Sequence, residues 1–97
     1  MLRVTWADKA LHDLQRLYLF QSVHNGAAAA ENVAAGLLDF IEHLPTNPRV
    51  WRQLKQFHGE IRRGLWSRYE IRYEIDDMAG EIRVIRLFEQ RENRQFL

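Results

Sequence analysis

The sequence has 97 residues, of which 46% are apolar and 28% are charged, and its formal net charge is +1. This length suits one domain with a modest core, and the composition excludes a disordered chain, a collagen and a disulfide scaffold. Cysteine is absent, which excludes thiol nucleophiles and Fe–S clusters and favours a reducing compartment. No apolar run approaches the ~20 residues of a membrane span, and the first residues show no export signal. We therefore predict one cytoplasmic domain over residues 1–97 with no membrane partner.

The first half of the chain predicts a strand followed by a helical hairpin. Residues 2–6 are rich in β-forming side chains and predict a short strand. Asp8 is the predicted N-cap of a helix that runs to about Val23, with an apolar stripe formed by Leu11, Leu14, Leu17 and Tyr18. A turn at Gly26 ends this helix. Residues 27–44 predict a second, antiparallel helix, whose core stripe is Ala30, Val33, Leu37, Ile41 and Leu44.

The second half predicts an antiparallel meander. Pro45 and Pro48 break the second helix and open a connection that extends to Gly59. Beyond it the apolar period changes from 3.6 to 2, which predicts strands over residues 60–66, 69–75 and 81–89. The last of these is apolar on both faces and should lie inside the sheet. The order β-α-α-β-β-β predicts an α+β domain, with the helical hairpin packed on one face of a small sheet that the three-stranded meander completes.

Positive charge is concentrated in this second half. Residues 1–44 carry three basic and five acidic side chains, whereas residues 45–97 carry eleven and eight. Twelve of the 14 cationic residues are arginines, whose planar guanidinium groups suit phosphate and carboxylate partners. The middle strand has a charged face formed by Arg68, Glu70, Arg72 and Glu74. Such faces usually carry solvated ion pairs, so Arg72 should be replaceable at little cost in stability.

Several short motifs resemble, in their order and spacing, the ParE/RelE superfamily of toxins from type II toxin–antitoxin systems. They are Leu44-Pro45 at the end of the second helix, Glu60-Ile61-Arg62 entering the sheet, YEIRYEI at 69–75 and IRLFEQRENR at 85–94. The resemblance covers nearly the whole chain. It implies a small toxin without a cofactor, neutralised by a cognate antitoxin of the ParD type or another small antitoxin. It also implies that operator DNA is bound only through that antitoxin.

Two target classes exist in the superfamily. ParE-like members poison DNA gyrase, and RelE-like members cleave mRNA in the ribosomal A site. The uninterrupted helical hairpin and the segment 86–94 look more like ParE, although Glu89 stands where many ParE-like chains have His. We therefore predict a gyrase poison that does no covalent chemistry and assign no catalytic residue to it. The residues predicted to bind the target are Arg72, Arg86, Glu89, Arg91 and Arg94.

The first alternative is a RelE-like, ribosome-dependent mRNA endonuclease. Such an enzyme needs several basic groups around the phosphate and usually a Tyr or His near the C-terminus. Phe96 has no hydroxyl to move a proton, which disfavours this chemistry. The catalytic candidates would be Arg62, Arg72, Arg86 and Arg91. The second alternative, from a different class, is a non-toxic module that binds an antitoxin and acts as a co-repressor.

The remaining side chains of interest are an arginine, an apolar group and the histidines. Arg86 lies in an apolar strand and needs either a carboxylate partner, for which Glu60 and Glu70 are candidates, or a target contact. The predicted antitoxin contacts are Leu38, Phe40 and Trp51, because apolar surface that the core does not require often marks an interface. Another copy of the toxin is the alternative partner for the apolar face that carries Leu38 and Phe40, and the residues do not choose between the two. No metal site is predicted, since the histidines lack zinc-site spacing; they are His12, His24, His43 and His58.

Overall fold

The computed structural model describes residues 1–92. Within this range the elements are β1 (Arg3–Trp6), α1 (Asp8–Asn25), α2 (Ala27–Glu42), a 3-10 turn (Leu44–Thr46), β2 (Arg52–Gln53), β3 (Glu60–Trp66), β4 (Tyr69–Asp76) and β5 (Glu81–Glu89). The predicted α+β order is confirmed. The one strand that the sequence did not predict is β2, a two-residue strand in the connection after the prolines. No helix of the described range is long and apolar enough to cross a membrane.

The described strands form one mixed sheet in the order β1-β5-β4-β3-β2. The β1 strand pairs with β5 in parallel, and the other neighbours are antiparallel. The β5 strand has a partner on each side, as its two apolar faces predicted. The register between β4 and β5 shifts once: Arg72 lies opposite Arg86, whereas Tyr73 lies opposite Val84. Ile85 is therefore the additional residue of a β-bulge.

The core lies between the helical hairpin and one face of the sheet. The predicted stripe of α2 is confirmed, with Val33 half-buried and the others buried: Ala30, Leu37, Ile41 and Leu44. The predicted apolar face of β4 is buried as well, through Tyr69, Ile71, Tyr73 and Ile75. The α2 helix approaches the sheet closely at Gly36, where the Trp66 ring lies against the helix backbone. Gly64 of β3 likewise lets the sheet approach α2 closely, since a Cβ at this position would lie 2.9 Å from the Phe40 ring.

The core-facing stripe of α1 differs from the prediction. Leu17 is buried as expected, but Leu11 is 49% exposed, and the buried positions are Ala10, Asp13, Leu17 and Gln21. Two of these are polar, because each meets a specific partner: Gln21 donates to the Tyr69 hydroxyl at 3.0 Å, and Asp13 reaches β5. The predicted N-cap is also wrong. Ala7 occupies the cap without a side-chain hydrogen bond, and Asp8 lies in the first turn, where its charge complements the helix dipole.

Two partly buried hydrogen bonds hold the connection between α2 and β3. The Tyr73 hydroxyl donates to the Pro48 carbonyl at 2.6 Å, and burial raises the pKa of this phenol to about 12. Arg62 Nη1 donates to the Trp51 carbonyl at 2.6 Å. The connection is thereby fixed beside the end of α2, which places Trp51 next to Phe40, with ring centroids 5.6 Å apart.

Candidate functional site

The edge of β5 is completed first by β1 and then by side chains of α1. The last main-chain bond on this edge runs from Ala7 N to the Val84 carbonyl at 2.9 Å, after which the chain turns into α1. Further along β5, Asp13 Oδ2 accepts the Leu87 N–H at 2.9 Å, and Arg16 Nη2 donates to the Leu87 carbonyl at 3.2 Å. These two side chains satisfy backbone groups that a longer β1 would have paired.

Asp13 is also the partner of Arg86. Arg86 Nε lies 2.7 Å from Asp13 Oδ2 and its Nη2 lies 3.2 Å from Oδ1, a bidentate contact to a carboxylate whose residue is 4% exposed. Of the two roles predicted for Arg86, the structure shows pairing with a carboxylate, and the partner is Asp13 rather than the candidates Glu60 and Glu70. Burial acts to raise the pKa of Asp13, yet the hydrogen bonds from Arg86 and the Leu87 N–H outweigh it and hold the pKa below its usual value.

The charged face of β4 is not the solvated surface that the sequence predicted. Glu70 is fully buried, and its carboxylate accepts from Arg72 Nε at 2.7 Å and from Arg63 Nε at 3.1 Å. The Arg72 side chain is 13% exposed, and its guanidinium also lies over the Phe57 and Phe88 rings. The expectation that Arg72 could be replaced at little cost is therefore wrong, because its removal would leave a buried carboxylate with one partner fewer.

Three arginines stand directly opposite one another in neighbouring strands. Arg63 of β3 faces Arg72 of β4, and Arg72 faces Arg86 of β5. Like charges in direct cross-strand register repel, so the row requires carboxylates beside it. Glu70 lies against the first two arginines and Asp13 against the third. Of the predicted target-binding residues, Arg72 and Arg86 are thus held in ion pairs inside the protein.

The other predicted target-binding residues lie where β5 ends. The Glu89 side chain is 15% exposed and accepts from Arg91 Nε at 3.1 Å, whereas the Arg91 side chain is 78% exposed. The Gln90 N–H donates to the Arg68 carbonyl at 2.8 Å, and the Glu92 carboxylate turns back to accept the Glu89 N–H at 3.2 Å. Residues 90–92 therefore form an ordered turn that presents Arg91 to solvent. Arg94 and Phe96 lie outside the described residues.

The four arginines proposed for an endonuclease do not share one face of the sheet. Arg62 lies opposite Tyr73, which belongs to the helix-covered face, whereas Arg72 is on the other face. Arg62 is engaged at the β3 edge, where its Nε donates to Glu60 at 2.9 Å. The Arg49 hydrogen bond is the main cause that lowers the pKa of Glu60, and Arg62 adds to it. The described arrangement does not surround a single phosphate with Arg62, Arg72, Arg86 and Arg91.

The predicted antitoxin contacts lie at one end of the helical hairpin. Phe40 and Trp51 line an open cleft of about 370 Å³, and Leu38 lies exposed on the same helix as Phe40. The sequence did not single out one further member of this lining, Val50, which is 63% exposed. Val50 follows Pro45 and Pro48 in a loop, and an apolar side chain in such a loop was the sequence signal that could have identified it. In residues 1–92 no group of three or more His, Asp or Glu side chains could hold a metal ion.

Comparison with known proteins places the chain in a family. The family model described as the ParE toxin of the type II toxin–antitoxin system parDE matches residues 4–94. No curated protein sequence matches the chain. A solved structure of the chromosomal ParDE toxin–antitoxin system from P. aeruginosa is similar at a TM-score of 0.76 with 18% identity, covering 92% of this chain and 96% of that one.

A second solved structure, the archaeal RelE–RelB complex from Pyrococcus horikoshii OT3, is similar at a TM-score of 0.55 with 14% identity. It covers 95% of this chain and 98% of that one. At these identities the two structures show a shared fold, and the family match spans almost the whole sequence. The chain belongs to the ParE toxins of type II toxin–antitoxin systems, within the ParE/RelE superfamily.

Proposed function

We propose that this toxin inhibits bacterial growth by poisoning DNA gyrase and is neutralised by a cognate antitoxin. The observation that carries the proposal is the match of the ParE family model to residues 4–94, because the ParE branch is the one for which the resemblance implies gyrase as the target. The fold supports the same branch, since the TM-score is 0.76 to the ParDE structure and 0.55 to the RelE–RelB structure.

Arg91 is the proposed target-contacting group of the described residues. Its exposed guanidinium is positioned by the Glu89 carboxylate and by the turn that follows β5. Arg86 supports this end of the sheet by joining β5 to α1 through Asp13, and Arg72 pairs with Glu70 within β4. The contact with Glu89 uses Nε, so the Nη groups of this exposed side chain can form charge-assisted hydrogen bonds with a phosphate or a carboxylate of the target while the pair with Glu89 persists. Arg94 remains a further predicted contact.

The proposed antitoxin site is the cleft beside Phe40 and Trp51. Its exposed apolar groups, Leu38 and Val50, would be removed from water by a bound partner. The related structures are a ParDE system and a RelE–RelB complex, which supports an antitoxin as the occupant. A partner that binds only the folded toxin stabilises it by about 4 kcal/mol at a thousandfold excess over Kd, so the melting temperature should rise in the complex.

Gyrase supercoiling in the presence of the purified toxin tests the proposal. The wild-type protein should inhibit supercoiling or trap cleaved DNA and should leave mRNA on programmed ribosomes intact. Arg91→Ala should weaken inhibition by about ten- to a hundredfold, the equivalent of one charged hydrogen bond of ~1.5–3 kcal/mol. The matched control is Arg3→Ala, which removes an exposed arginine at the opposite end of β5. Arg3 lies opposite Glu81 in the register of β1 and β5.

The control variant should inhibit like the wild type, and both variants should keep the wild-type melting temperature within the small range of surface substitutions. Codon-dependent cleavage of mRNA in the A site by a protein that leaves gyrase active would refute gyrase as the target and favour the RelE-like alternative. Equal inhibition by Arg91→Ala and the wild type would refute the placement of the contact at Arg91.

A further inference from the structure

Arg16 of α1 connects the turn that carries Arg91 to the helical hairpin. Arg16 Nη1 forms an ion pair with the Glu92 carboxylate, which in turn accepts the Glu89 N–H at 3.2 Å. The same guanidinium donates through Nη2 to Asp13 and to the Leu87 carbonyl, at 3.2 Å each. Arg16 therefore bridges α1, the β5 backbone and the turn that follows β5.

The environment of Arg16 distinguishes it from the buried pairs beside it. Its side chain is 45% exposed and that of Glu92 is 27% exposed, so neither is needed to fill the core. Asp13 keeps its contacts with Arg86 and the Leu87 N–H when Arg16 is absent. Loss of Arg16 should therefore release the turn and leave the Leu87 carbonyl to accept from water, while the Asp13 contacts of the sheet edge stay intact. The planar fork of arginine presents Nη1 to Glu92 and Nη2 to Asp13 and the Leu87 carbonyl, which suits an arginine to this position.

We infer that Arg16 is a positioning residue of the toxin: through Glu92 it fixes the turn over residues 90–92, so that Arg91 meets the target in one orientation. The inference rests on the proposed role of Arg91. An unclamped turn must be ordered when the target binds, and that ordering weakens binding. We call the Arg16–Glu92 ion pair the clamp. Exposed ion pairs contribute less than about 1 kcal/mol, so breaking the clamp should weaken target binding roughly two- to fivefold.

Three variants test the clamp: Arg16→Ala, Glu92→Gln and the two combined. The readout is the expression level that halves the growth rate of bacterial cells, which does not presuppose gyrase as the target. Each single variant should require a roughly two- to fivefold higher expression level than the wild type to halve the growth rate. The double variant should need no more than the singles, because both changes break the same contact. The matched control is Glu31→Gln, which removes an exposed carboxylate from α2 and should behave like the wild type.

Amide hydrogen exchange measures the clamp independently of activity. In each clamp variant the Glu89 amide, which donates to Glu92, should exchange about two- to fivefold faster, whereas the buried Ile82 amide of the same strand should keep its rate. Melting temperatures should stay at the wild-type value. A purely structural role for Arg16 would instead lower the melting temperature and speed exchange along the whole of β5.

Two outcomes would overturn the inference: unchanged growth inhibition in the clamp variants despite faster Glu89 exchange, or additive losses in the double variant. Additive losses would mean that Arg16 and Glu92 contact the target directly. The expected pattern in cells together with unaffected gyrase in vitro would retain the clamp and refute gyrase as the target. A wild-type chain that does not arrest growth would overturn the inference and the proposed function together.

Discussion

Glu70→Gln is the substitution that most directly tests the interior charge network. The change keeps the size of the side chain and removes the negative charge that lies between Arg63 and Arg72. Removing one partner of a buried ion pair costs about 3–5 kcal/mol, because the remaining charge stays desolvated. The low end applies here, since the Arg63 side chain is 28% exposed and can be hydrated, whereas that of Arg72 is 13% exposed. We expect a loss of about 3 kcal/mol in the free energy of unfolding.

The matched control lies on the same strand and the same face. Glu74 pairs with Arg83 at 3.0 Å, but their side chains are 26% and 52% exposed, so Glu74→Gln should cost less than about 1 kcal/mol. For a domain of this size, 3 kcal/mol corresponds to a fall of roughly 12–24 °C in melting temperature. Urea unfolding followed by circular dichroism gives both free energies. Equal losses in the two variants would refute the argument that burial, rather than pairing alone, makes Glu70 important.

Two further predictions concern the contacts of the helices with the sheet. Gly36→Ala should destabilise the protein by about 1–3 kcal/mol, although Ala is the better helix former, because the new methyl would overlap the Trp66 ring; thermal unfolding measures this, and a stabilised variant would contradict it. Asp13→Asn should be less stable than the wild type at pH 6, and the difference should shrink as the pH falls below 3.8. The pKa of Asp13 is lowered in the folded state, so its stabilisation is present above the ordinary value of 3.8 and is lost as the pH falls through the folded-state pKa. Urea unfolding at pH 6 and pH 3 tests this, and a difference that does not change with pH would contradict it.

The strands of the meander could be predicted from the sequence because their signals are local. Alternation of apolar and charged side chains predicted a strand at residues 69–75, which the structure extends by one residue to Asp76. The apolar run at residues 81–89 predicted β5, and the structure has the same bounds. The β2 strand carries no such signal. Its two residues pair with β3 because the connection is held beside the sheet, partly by the bond between Tyr73 and Pro48. Pairing of this kind depends on tertiary contacts that a short sequence window does not contain.

The charged part of the candidate site could be predicted only in composition. Arginines were expected at this surface and are there, but Glu70 was expected on a solvated strand face and Asp13 was not singled out as a partner. Asp13 lies in an amphipathic helix, where a charged residue is ordinarily expected to face water, and its burial follows from the early end of β1 at Trp6, which leaves the β5 edge to α1. Glu70 lies on a strand face that alternation marks as polar, and it is buried because Arg72 and Phe88 cover it. In each case one neighbour comes from a distant part of the sequence: Leu87 for Asp13 and Phe88 for Glu70.

The parallel pairing of β1 with β5 determines when the toxin can finish folding. Thr5 Oγ1 donates to the Glu81 carboxylate, 76 residues further along the chain, so this contact closes a loop that contains most of the protein. Short turns join the two helices of the hairpin and the successive strands of the meander, so each of these units can form early. Contacts between residues as far apart in the sequence as Thr5 and Glu81 form slowly. During synthesis, β1 has no partner strand until β5 has left the ribosome. The turn that bears Arg91 follows β5 directly, so the proposed target-binding group is ordered in the same last step that docks the start of the chain.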